Sequence, residues 1–596
     1  MPEPVSDIRY TPSESARVRA RVWRRWCGSW WCGAALVLLG LAVYLPGLSA
    51  IPPVDRDESR FAQASRQMFE SGDYVLPRVQ DRPRLNKPPL IYWLHCGSIA
   101  LFGDEEGRHA NANIWVFRLS SVLCAIGAGL LTWRIGLRVF DPRAAALGAA
   151  LLAVCPMVAW DAHQARADQL LLLTTTGAMW AMLRAWRLAR DNGAVTACAF
   201  WTFVALGVLA KGPVTPLVAG LTALALGVST GRWGWVRGLR PVLGVGLLAL
   251  IVAPWVVAVG DRVGWAEYAR IVFSETIGRS ASPKENHWFP PGFHLVVFSV
   301  LFWPGSLVTG LAVAWAARRA FPAARDRDGP GRLSRIRARL TVVRGDMGLR
   351  FLLCWVVPSW IFFELISTKL PHYVMPLYPA LALISARGVF AAEGGRLPGV
   401  RSPGARAGFA VWVGVGAAAM LGLTGVVLYA GRVDESRAWW SLSDGLWLPG
   451  SVIVVGLIAA ARALQRSQFM RAQAWGVAMV VLWGATFLGR VLPSAERFWI
   501  STRIAAAGGP GASLVNASKF REDSLIFVHR GRVRVLDEHE AVADIKAGGS
   551  PGRVYLFSAG TLVDLADQWR TVEVEGWNYS VGKRAGVRVV VPAAGE

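Results

Sequence analysis

The sequence predicts an α-helical, polytopic membrane protein with about 13 transmembrane helices and a small C-terminal α/β or α+β domain. Of its 596 residues, 54% are hydrophobic. Apolar stretches of about 18–24 residues, each long enough to cross a bilayer, recur along most of the chain. Basic clusters occupy alternate connections between them, as in cytoplasmic loops. A single large soluble enzyme would not repeat such stretches, so lipid is the expected solvent.

The charge balance excludes a nucleic-acid binder. Lys and Arg number 64 against 40 Asp and Glu, which gives a formal net charge of +24. In a nucleic-acid-binding domain the basic residues would form one patch or stripe. Here they lie in short groups between apolar stretches, so the excess indicates membrane topology instead.

The alternation of apolar stretches and basic clusters predicts three regions. Residues 1–28 are a basic cytoplasmic N-terminus, 29–490 a transmembrane domain and 491–596 a domain on the outer side. The first apolar run begins at Trp30, and no convincing cleavage site follows it, so we expect an uncleaved span. An odd number of spans puts the C-terminal domain across the membrane from the cytoplasm.

The first outer loop is predicted to contain two helices on the membrane surface. Arg56 to Glu70 has helical spacing, with Phe61, Ala64 and Met68 on one side. Pro88 to Phe102 is apolar but too short to span a bilayer, which favours an interfacial helix.

The C-terminal region has the composition of an ordinary soluble domain. Five segments are predicted to be strands, and a helix is expected near Leu562 to Trp569. The strand segments are SLIFVHR, GRVRVLD, RVYLFSAG, TVEVEGW and GVRVVVP. The region contains no nucleophile elbow or phosphate loop.

Ionisable residues that suit glycosyl transfer gather in the first outer loop. Asp55 begins an acidic stretch with Glu58, and Lys87 precedes Pro88 and Pro89. A carboxylate at the bilayer interface would act as a base or orient an acceptor. A lysine held at the membrane surface would neutralise a lipid-linked phosphate. The alternative is an ordinary solvated loop, and the concentration of such groups in one loop disfavours it.

Later outer loops add further candidates. Asp168 stands immediately before a span, where it would be a second catalytic carboxylate or complement the helix dipole. Lys211 and Lys369 are candidate phosphate-binding cations, and His372 and Tyr373 follow the second of them. Glu285 and His287 form a Glu-x-His pair that would suit a divalent metal, although the spacing belongs to no well-defined zinc motif.

These motifs resemble those of the GT-C membrane glycosyltransferases, in particular the lipid A aminoarabinose transferases and the protein O-mannosyltransferases. The resemblance rests on the acidic start at Asp55, Ser71-Gly72-Asp73, Pro77-Arg78 and Lys87-Pro88-Pro89. Lys211-Gly212-Pro213 and Lys369-Leu370-Pro371-His372-Tyr373 resemble two further family motifs in the same order.

The resemblance implies a GT-C fold and a role for each matching residue. Asp55 would be the catalytic aspartate, with Asp168 as the second acidic residue, and Lys87 would bind the donor phosphate with Lys211 and Lys369. The remaining candidates are contacts to acceptor or sugar, namely Arg56, Glu58, Arg60, Tyr92, His372 and Tyr373. Asn86 stands where the family often has Glu, which weakens an acidic or metal-binding role there.

The predicted function is transfer of a sugar from a polyprenyl-phosphate carrier to lipid A or another envelope acceptor. A protein O-glycosyltransferase is an alternative within the same class. A transporter or flippase is the alternative of another class, but it would place ionisable residues near the middle of spans. Glu364 is the best candidate for such a position, and the other charges cluster at the outer ends of the spans, so the enzyme is favoured. The sequence leaves the sugar open.

Overall fold

The computed structural model describes residues 14–102, 113–187, 193–278, 289–321, 345–431, 447–509, 511–548, 552–561, 567–578 and 581–593. The described residues up to 491 are mostly helical. The α-helices of this part are α1 Glu14–Cys27, α2 Trp30–Tyr44, α3 Asp57–Ser71, α4 Leu90–Phe102, α5 Ile114–Val139, α6 Pro142–Val154, α7 Pro156–Ala162, α8 Asp168–Arg187, α9 Gly193–Lys211, α10 Val214–Thr230, α11 Pro241–Val263, α12 Trp265–Phe273, α13 Phe293–Leu301, α14 Thr309–Ala320, α15 Met347–Leu365, α16 Tyr378–Glu393, α17 Pro403–Ala417, α18 Leu423–Gly431, α19 Trp447–Gln465 and α20 Phe469–Thr486.

Helices occur at every predicted span, which confirms a polytopic helical protein. By length and apolarity, seven of the described helical segments can cross a membrane, or nine when two bent pairs are each counted as one span. Others are shorter, such as α10, or contain charges, such as α8. The count of about 13 spans therefore stays a prediction.

Small residues allow α5, α6 and α16 to pack closely. A Cβ added at Gly136 of α5 would lie 2.7 Å from both the Ala145 and Leu383 side chains. One added at Gly148 of α6 would lie 2.9 Å from Leu383. Close backbone approach of this kind is how helices associate in lipid, where apolar burial gives no net drive.

The two ends of this bundle carry different groups of charged residues. At one end, Arg24 and Arg143 each place Nε 3.0 Å from an Asp141 carboxylate oxygen. The Arg143 guanidinium also lies 5.4 Å from the ring centroid of Phe390 in α16. At the opposite end, the loop before α8 meets the end of α9 and the start of the Pro371–Leu377 3₁₀ helix. At the first of these ends Arg138 also lies near Arg134 and Arg184, and this clustering of arginines agrees with the predicted basic connections.

Both predicted first-loop helices are present as α3 and α4. They share an apolar cluster that contains Phe61, Ala64 and Met68 from α3 and Ile91, Tyr92 and Cys96 from α4. Between them, Arg78–Val79 (β1) and Arg82–Pro83 (β2) form a two-stranded antiparallel ribbon. The first loop is therefore a packed unit with its own core.

The C-terminal domain is a mixed α/β domain. Its strands are β3 Ser513–Asn516, β4 Val533–Val535, β5 Arg553–Ser558, β6 Trp569–Asn578 and β7 Lys583–Pro592, in the order β4-β3-β5-β7-β6. Strand β3 is parallel to β4 and β5, whereas β7 is antiparallel to β5 and β6. Its helices are α21 Ile500–Gly508, α22 Asp523–Val528 and α23 Glu538–Lys546.

Four of the five predicted strand segments are confirmed, and one is wrong. SLIFVHR lies in α22, where Leu525 enters the domain core and Phe527 packs against the first loop. A short apolar run fits a buried helix as well as a strand, and here the packing partners select the helix. The helix expected near Leu562 to Trp569 is wrong at its end, because Trp569 begins β6. Residues 562–566 lie outside the described residues.

Candidate functional site

A buried ion pair fixes the start of the first loop to α5. The Arg118 guanidinium donates to both oxygens of the Glu58 carboxylate at 2.8 Å, and neither side chain is exposed. Arg118 also donates to the carbonyls of Leu48, Ile51 and Pro52 at 2.7–3.0 Å. The Glu58 oxygens accept further bonds from backbone N–H groups, so Glu58 holds the loop together instead of facing an acceptor.

Asp57 is more accessible than its neighbours Asp55 and Glu58, with 45% of its side chain exposed. The Arg84 guanidinium lies 3.4 Å from Asp57 Oδ1, and that of Arg166 lies 3.8 Å from Oδ2. Burial acts to raise the pKa of Asp57, but Arg166, Arg84 and Lys87 outweigh it and lower the pKa to about 2. Asp57 is therefore ionised across the physiological range.

Asp168, the first residue of α8, continues this network. Its carboxylate forms a short ion pair with Lys211 at the end of α9, and Arg166 Nη2 lies 3.2 Å from its Oδ2. His372 Nε2 is 3.7 Å from its Oδ1. Only 5% of the Asp168 side chain is exposed. Three loops far apart in sequence thus meet at one buried carboxylate.

Lys87 and Tyr373 border the same network. Lys87 is half-buried and close enough to Asp57 to lower its pKa. The Lys211 ammonium lies 5.9 Å from the ring centroid of Tyr373. Arg84 Nε lies 3.2 Å from the hydroxyl of Tyr92, which is fully buried. Tyr92 therefore helps to hold the Arg84 side chain in place.

Lys369 belongs to a neighbouring cluster. Its ammonium donates to the carbonyl of Ile366 at 2.7 Å, and the residue is 2% exposed. Leu370, the next residue, accepts a hydrogen bond from His294 Nε2 at 3.2 Å, and His294 Nδ1 is 3.6 Å from Glu364. This places Glu364 in a pair at a helix end instead of alone in a span.

Asp55 and Arg60 face the C-terminal domain. Asp55 Oδ1 accepts a hydrogen bond from the backbone N–H of Ser524 at 3.1 Å. Arg60 Nη2 lies 2.8 Å from Asp523 Oδ2. Between Asp55 and Asp57, Arg56 has a φ of 62°, which a non-glycine residue rarely adopts. This strained residue is exposed and turns the chain so that the two carboxylates face different partners.

The structure thus brings most of the predicted residues to one end of the bundle. Four of them are in contact with one another, namely Asp168, Lys211, His372 and Tyr373. Lys87 lies near Asp57, which belongs to the same network of charges. Glu285 and His287 lie outside the described residues. Within the described parts of the chain, no group of three or more His, Cys, Asp or Glu residues could hold a metal ion.

Sequence reasoning missed three arginines that organise the site. Arg84 and Arg166 bracket Asp57, and Arg118 holds Glu58. A usable signal existed for Arg118, because a single Arg near the start of an otherwise apolar span needs a buried partner. Nothing in the sequence separates Arg84 from the other arginines of its loop.

The chain is similar to known membrane glycosyltransferases. Residues 86–257 match the family described as dolichyl-phosphate-mannose-protein mannosyltransferase. An undecaprenyl phosphate-alpha-4-amino-4-deoxy-L-arabinose arabinosyl transferase of Pseudomonas aeruginosa is 30% identical over 370 residues, which cover 59% of this chain and 58% of the relative. The transferase of the same name from Pectobacterium atrosepticum is 27% identical, with 77% and 75% of the two chains covered. The chain thus spans less than two thirds of the length of the first of these relatives.

The fold has a solved counterpart. The crystal structure of ArnT from Cupriavidus metallidurans bound to undecaprenyl phosphate has a TM-score of 0.67 and 19% sequence identity, and the similarity covers 94% of this chain and 97% of that one. The apo form of that protein has a TM-score of 0.66. The protein is therefore a multi-pass membrane protein with the GT-C fold, and it resembles the lipid A aminoarabinose transferases and the protein O-mannosyltransferases.

Proposed function

We propose that the protein is an inverting glycosyltransferase that moves a sugar from a polyprenyl-phosphate donor to lipid A or another envelope acceptor. The observation that carries the proposal is the convergence of Arg84, Lys87, Arg166 and Lys211 on Asp57 and Asp168. Asp161 is a third carboxylate of the group, 3.8 Å from Arg166. Four cations around three carboxylates leave positive charge for an anionic ligand.

The surroundings of these cations favour a lipid-linked anion over a soluble one. Leu85 follows Arg84, and Leu209 is two residues before Lys211. Both belong to an apolar cluster that also contains Leu76, Trp255 and Val259. The cluster itself is buried, but α11, which supplies Trp255 and Val259, is mostly unburied along its apolar length, so a phosphate on an apolar chain would bind its charge to the cations and its chain along this helix. The relatives named for undecaprenyl phosphate substrates support the same assignment.

In the proposed reaction an acceptor oxygen attacks the anomeric carbon of the donor sugar. The bond from that carbon to the phosphate oxygen breaks, and the polyprenyl phosphate leaves with the electron pair. The phosphate gains negative charge in this step, which Lys87, Lys211 and Arg166 would stabilise. With a hydroxyl acceptor, Asp55 would take the proton; with a phosphate acceptor, Asp55 would orient it.

The site is assigned to the outer face of the inner membrane. Arginines of several connections lie close together at the opposite end of the bundle, which favours that end as cytoplasmic. A cysteine introduced after Gly548 should then react with an impermeant thiol reagent from the outside. Labelling from the cytoplasmic side alone would reverse the orientation and remove the outer-face assignment.

Protein O-glycosylation is the second candidate, because residues 86–257 match a protein mannosyltransferase family. Mass spectrometry of envelope lipids and of exported proteins, from cells with and without this protein, distinguishes the two. A mass increment of one sugar on lipid A or another glycolipid is expected. An increment on exported proteins alone would favour the second candidate, and none on either would refute both.

A further inference from the structure

The C-terminal domain is joined to the first loop by buried contacts. Arg66 of α3 donates from Nη1 to the carbonyl of Phe527 at 2.9 Å, and its guanidinium lies 4.1 Å from the centroid of the Phe527 ring. The Phe527 ring also meets Phe117 of α5 edge-on, with centroids 5.6 Å apart. The Gln80 side-chain amide donates to the carbonyls of Gly531 and Val533 at 3.0 and 2.6 Å. The domain is thus fixed against the loop that carries Asp55.

The segment from Glu522 to Ser524 contacts Asp55 and Arg60, which lie next to the site. The Ser524 N–H binds Asp55, and the Asp523 carboxylate binds Arg60. Glu522 is 5% exposed, and its Oε2 accepts hydrogen bonds from the hydroxyls of Ser501 and Ser524 at 3.2 and 3.0 Å. Its Oε1 is buried without a hydrogen-bond partner in the described part of the chain. Three consecutive residues of the C-terminal domain therefore define the environment of Asp55.

We propose that the C-terminal domain completes the active site, with Asp523 and Ser524 as positioning residues that hold Arg60 and Asp55 in their working orientation. This inference rests on the proposed function and adds a role for the domain to it.

A physical argument supports a positioning role. Asp55 stands between the chain leaving α2 and the strained Arg56, so its own loop does not fix its side chain by regular secondary structure. A backbone N–H from a packed domain directs one of its carboxylate oxygens. Misplacement of a catalytic group by about 1 Å can lower a rate about 100-fold.

The test compares substitutions at the interface with one elsewhere on the same domain. Asp523→Asn removes the charge that binds Arg60, and Phe527→Ala removes the ring that docks the domain. Glu538→Gln is the matched control, because Glu538 is an exposed acid on α23. Transfer and donor binding are measured in detergent with a synthetic polyprenyl-phosphate sugar.

We expect Asp523→Asn to lower kcat at least about tenfold, the usual effect of losing a hydrogen bond to a charged group. Phe527→Ala should lower kcat to a similar extent because it loosens the docked domain, and donor affinity should be unchanged in both variants. Asp523→Glu should restore most of the rate, and Glu538→Gln should equal the parent. Parental rates in both interface variants, or an equal loss in Glu538→Gln, would overturn the positioning role. If Phe527→Ala fails to insert, Asp523→Asn decides alone. No transfer by the unsubstituted protein would instead refute the proposed function.

The pH profile supplies a readout that a merely structural contact would not change. The pKa of Glu522 is raised to about 8, chiefly by burial and also by the negative charges of Asp55 and Asp523. The hydrogen bonds from the Ser524 and Ser501 hydroxyls act in the opposite direction. Above that pH, Glu522 ionises next to Asp55 and repels it. Transfer by the parent should therefore fall as the pH rises through about 8, and Glu522→Gln should remove this fall. Identical profiles in both would contradict the inference.

Discussion

Arg118→Met tests whether the buried ion pair holds the first loop in place. The substitution removes both 2.8 Å bonds to Glu58 and the three bonds to carbonyls of residues 48–52. It leaves the Glu58 carboxylate buried, with the N–H groups of Val54 and Ala165 as its remaining donors. Breaking one side of a fully buried pair costs about 3–5 kcal/mol. That range corresponds to a rise of roughly 150- to 5,000-fold in the unfolding equilibrium constant.

The assay is the free energy of unfolding of the purified protein in detergent, from a denaturant titration followed by tryptophan fluorescence. The matched control is Arg406→Met, because Arg406 is exposed, and its effect should stay within about 0.5 kcal/mol. Adding Glu58→Gln to Arg118→Met removes the unpaired charge, so the double variant should be more stable than Arg118→Met. An effect of Arg118→Met below about 1 kcal/mol, or a double variant less stable than the single one, would refute the reasoning.

Three further predictions concern the cation network. Lys87→Ala should lower both donor affinity and turnover, and Lys87→Arg should restore only part, because a guanidinium is larger and planar; a donor titration with equal affinity in all three forms would contradict this. Lys211→Met should weaken donor binding and destabilise the protein by about 3–5 kcal/mol, because the buried Asp168 then lacks one of its partners. The double variant Lys211→Met/Asp168→Asn should recover stability but not transfer. Recovery of both would exclude Asp168 from the site. The pKa of Asp57 is lowered to about 2, so its ionised form adds stability above its unfolded pKa of about 3.9. The difference in unfolding free energy between the parent and Asp57→Asn should therefore be constant from about pH 8 to 5 and shrink as the pH falls below about 4. A difference that changes between pH 8 and 5 would refute the assignment.

The spacing of residues predicts local elements, and the first loop illustrates how far this extends. The apolar side of Arg56 to Glu70 predicts α3, and the short run after Pro88-Pro89 predicts α4, because helical periodicity and length are local properties. The same pattern cannot show that Tyr92 of α4 lies under Arg84. That contact depends on how the two helices cross.

The partners of the charged residues could not be predicted for the same reason. Asp168 meets Lys211 and His372, which lie 43 and 204 residues further along the chain and reach it only through the arrangement of α8, α9 and the 3₁₀ helix. Glu58 was predicted to contact acceptor or sugar, and only the fold shows that it is buried in a pair with Arg118. Asp55 was predicted beside the membrane, whereas its hydrogen bond to Ser524 depends on the docking of a separate domain.

The failure at SLIFVHR has a related cause. Leu525 to Val528 is an uninterrupted apolar run, which suits a buried strand or a short buried helix equally. In the protein, α22 directs Leu525 into the domain core and Phe527 onto α5 of the membrane domain. Residues two positions apart lie on the same face of a strand but on different faces of a helix, so these two partners require a helix. The second partner cannot be inferred from the local sequence.

The most direct test of the proposed function is the stoichiometry of transfer in proteoliposomes. The purified protein is supplied with a labelled polyprenyl-phosphate sugar and lipid A, and both the released polyprenyl phosphate and the modified acceptor are quantified by mass spectrometry. We predict one polyprenyl phosphate released for each sugar transferred, and loss of both products in Lys87→Ala and Asp55→Asn, although these variants insert normally. Movement of the intact donor between leaflets without release of polyprenyl phosphate, or parental transfer by both variants, would contradict the account.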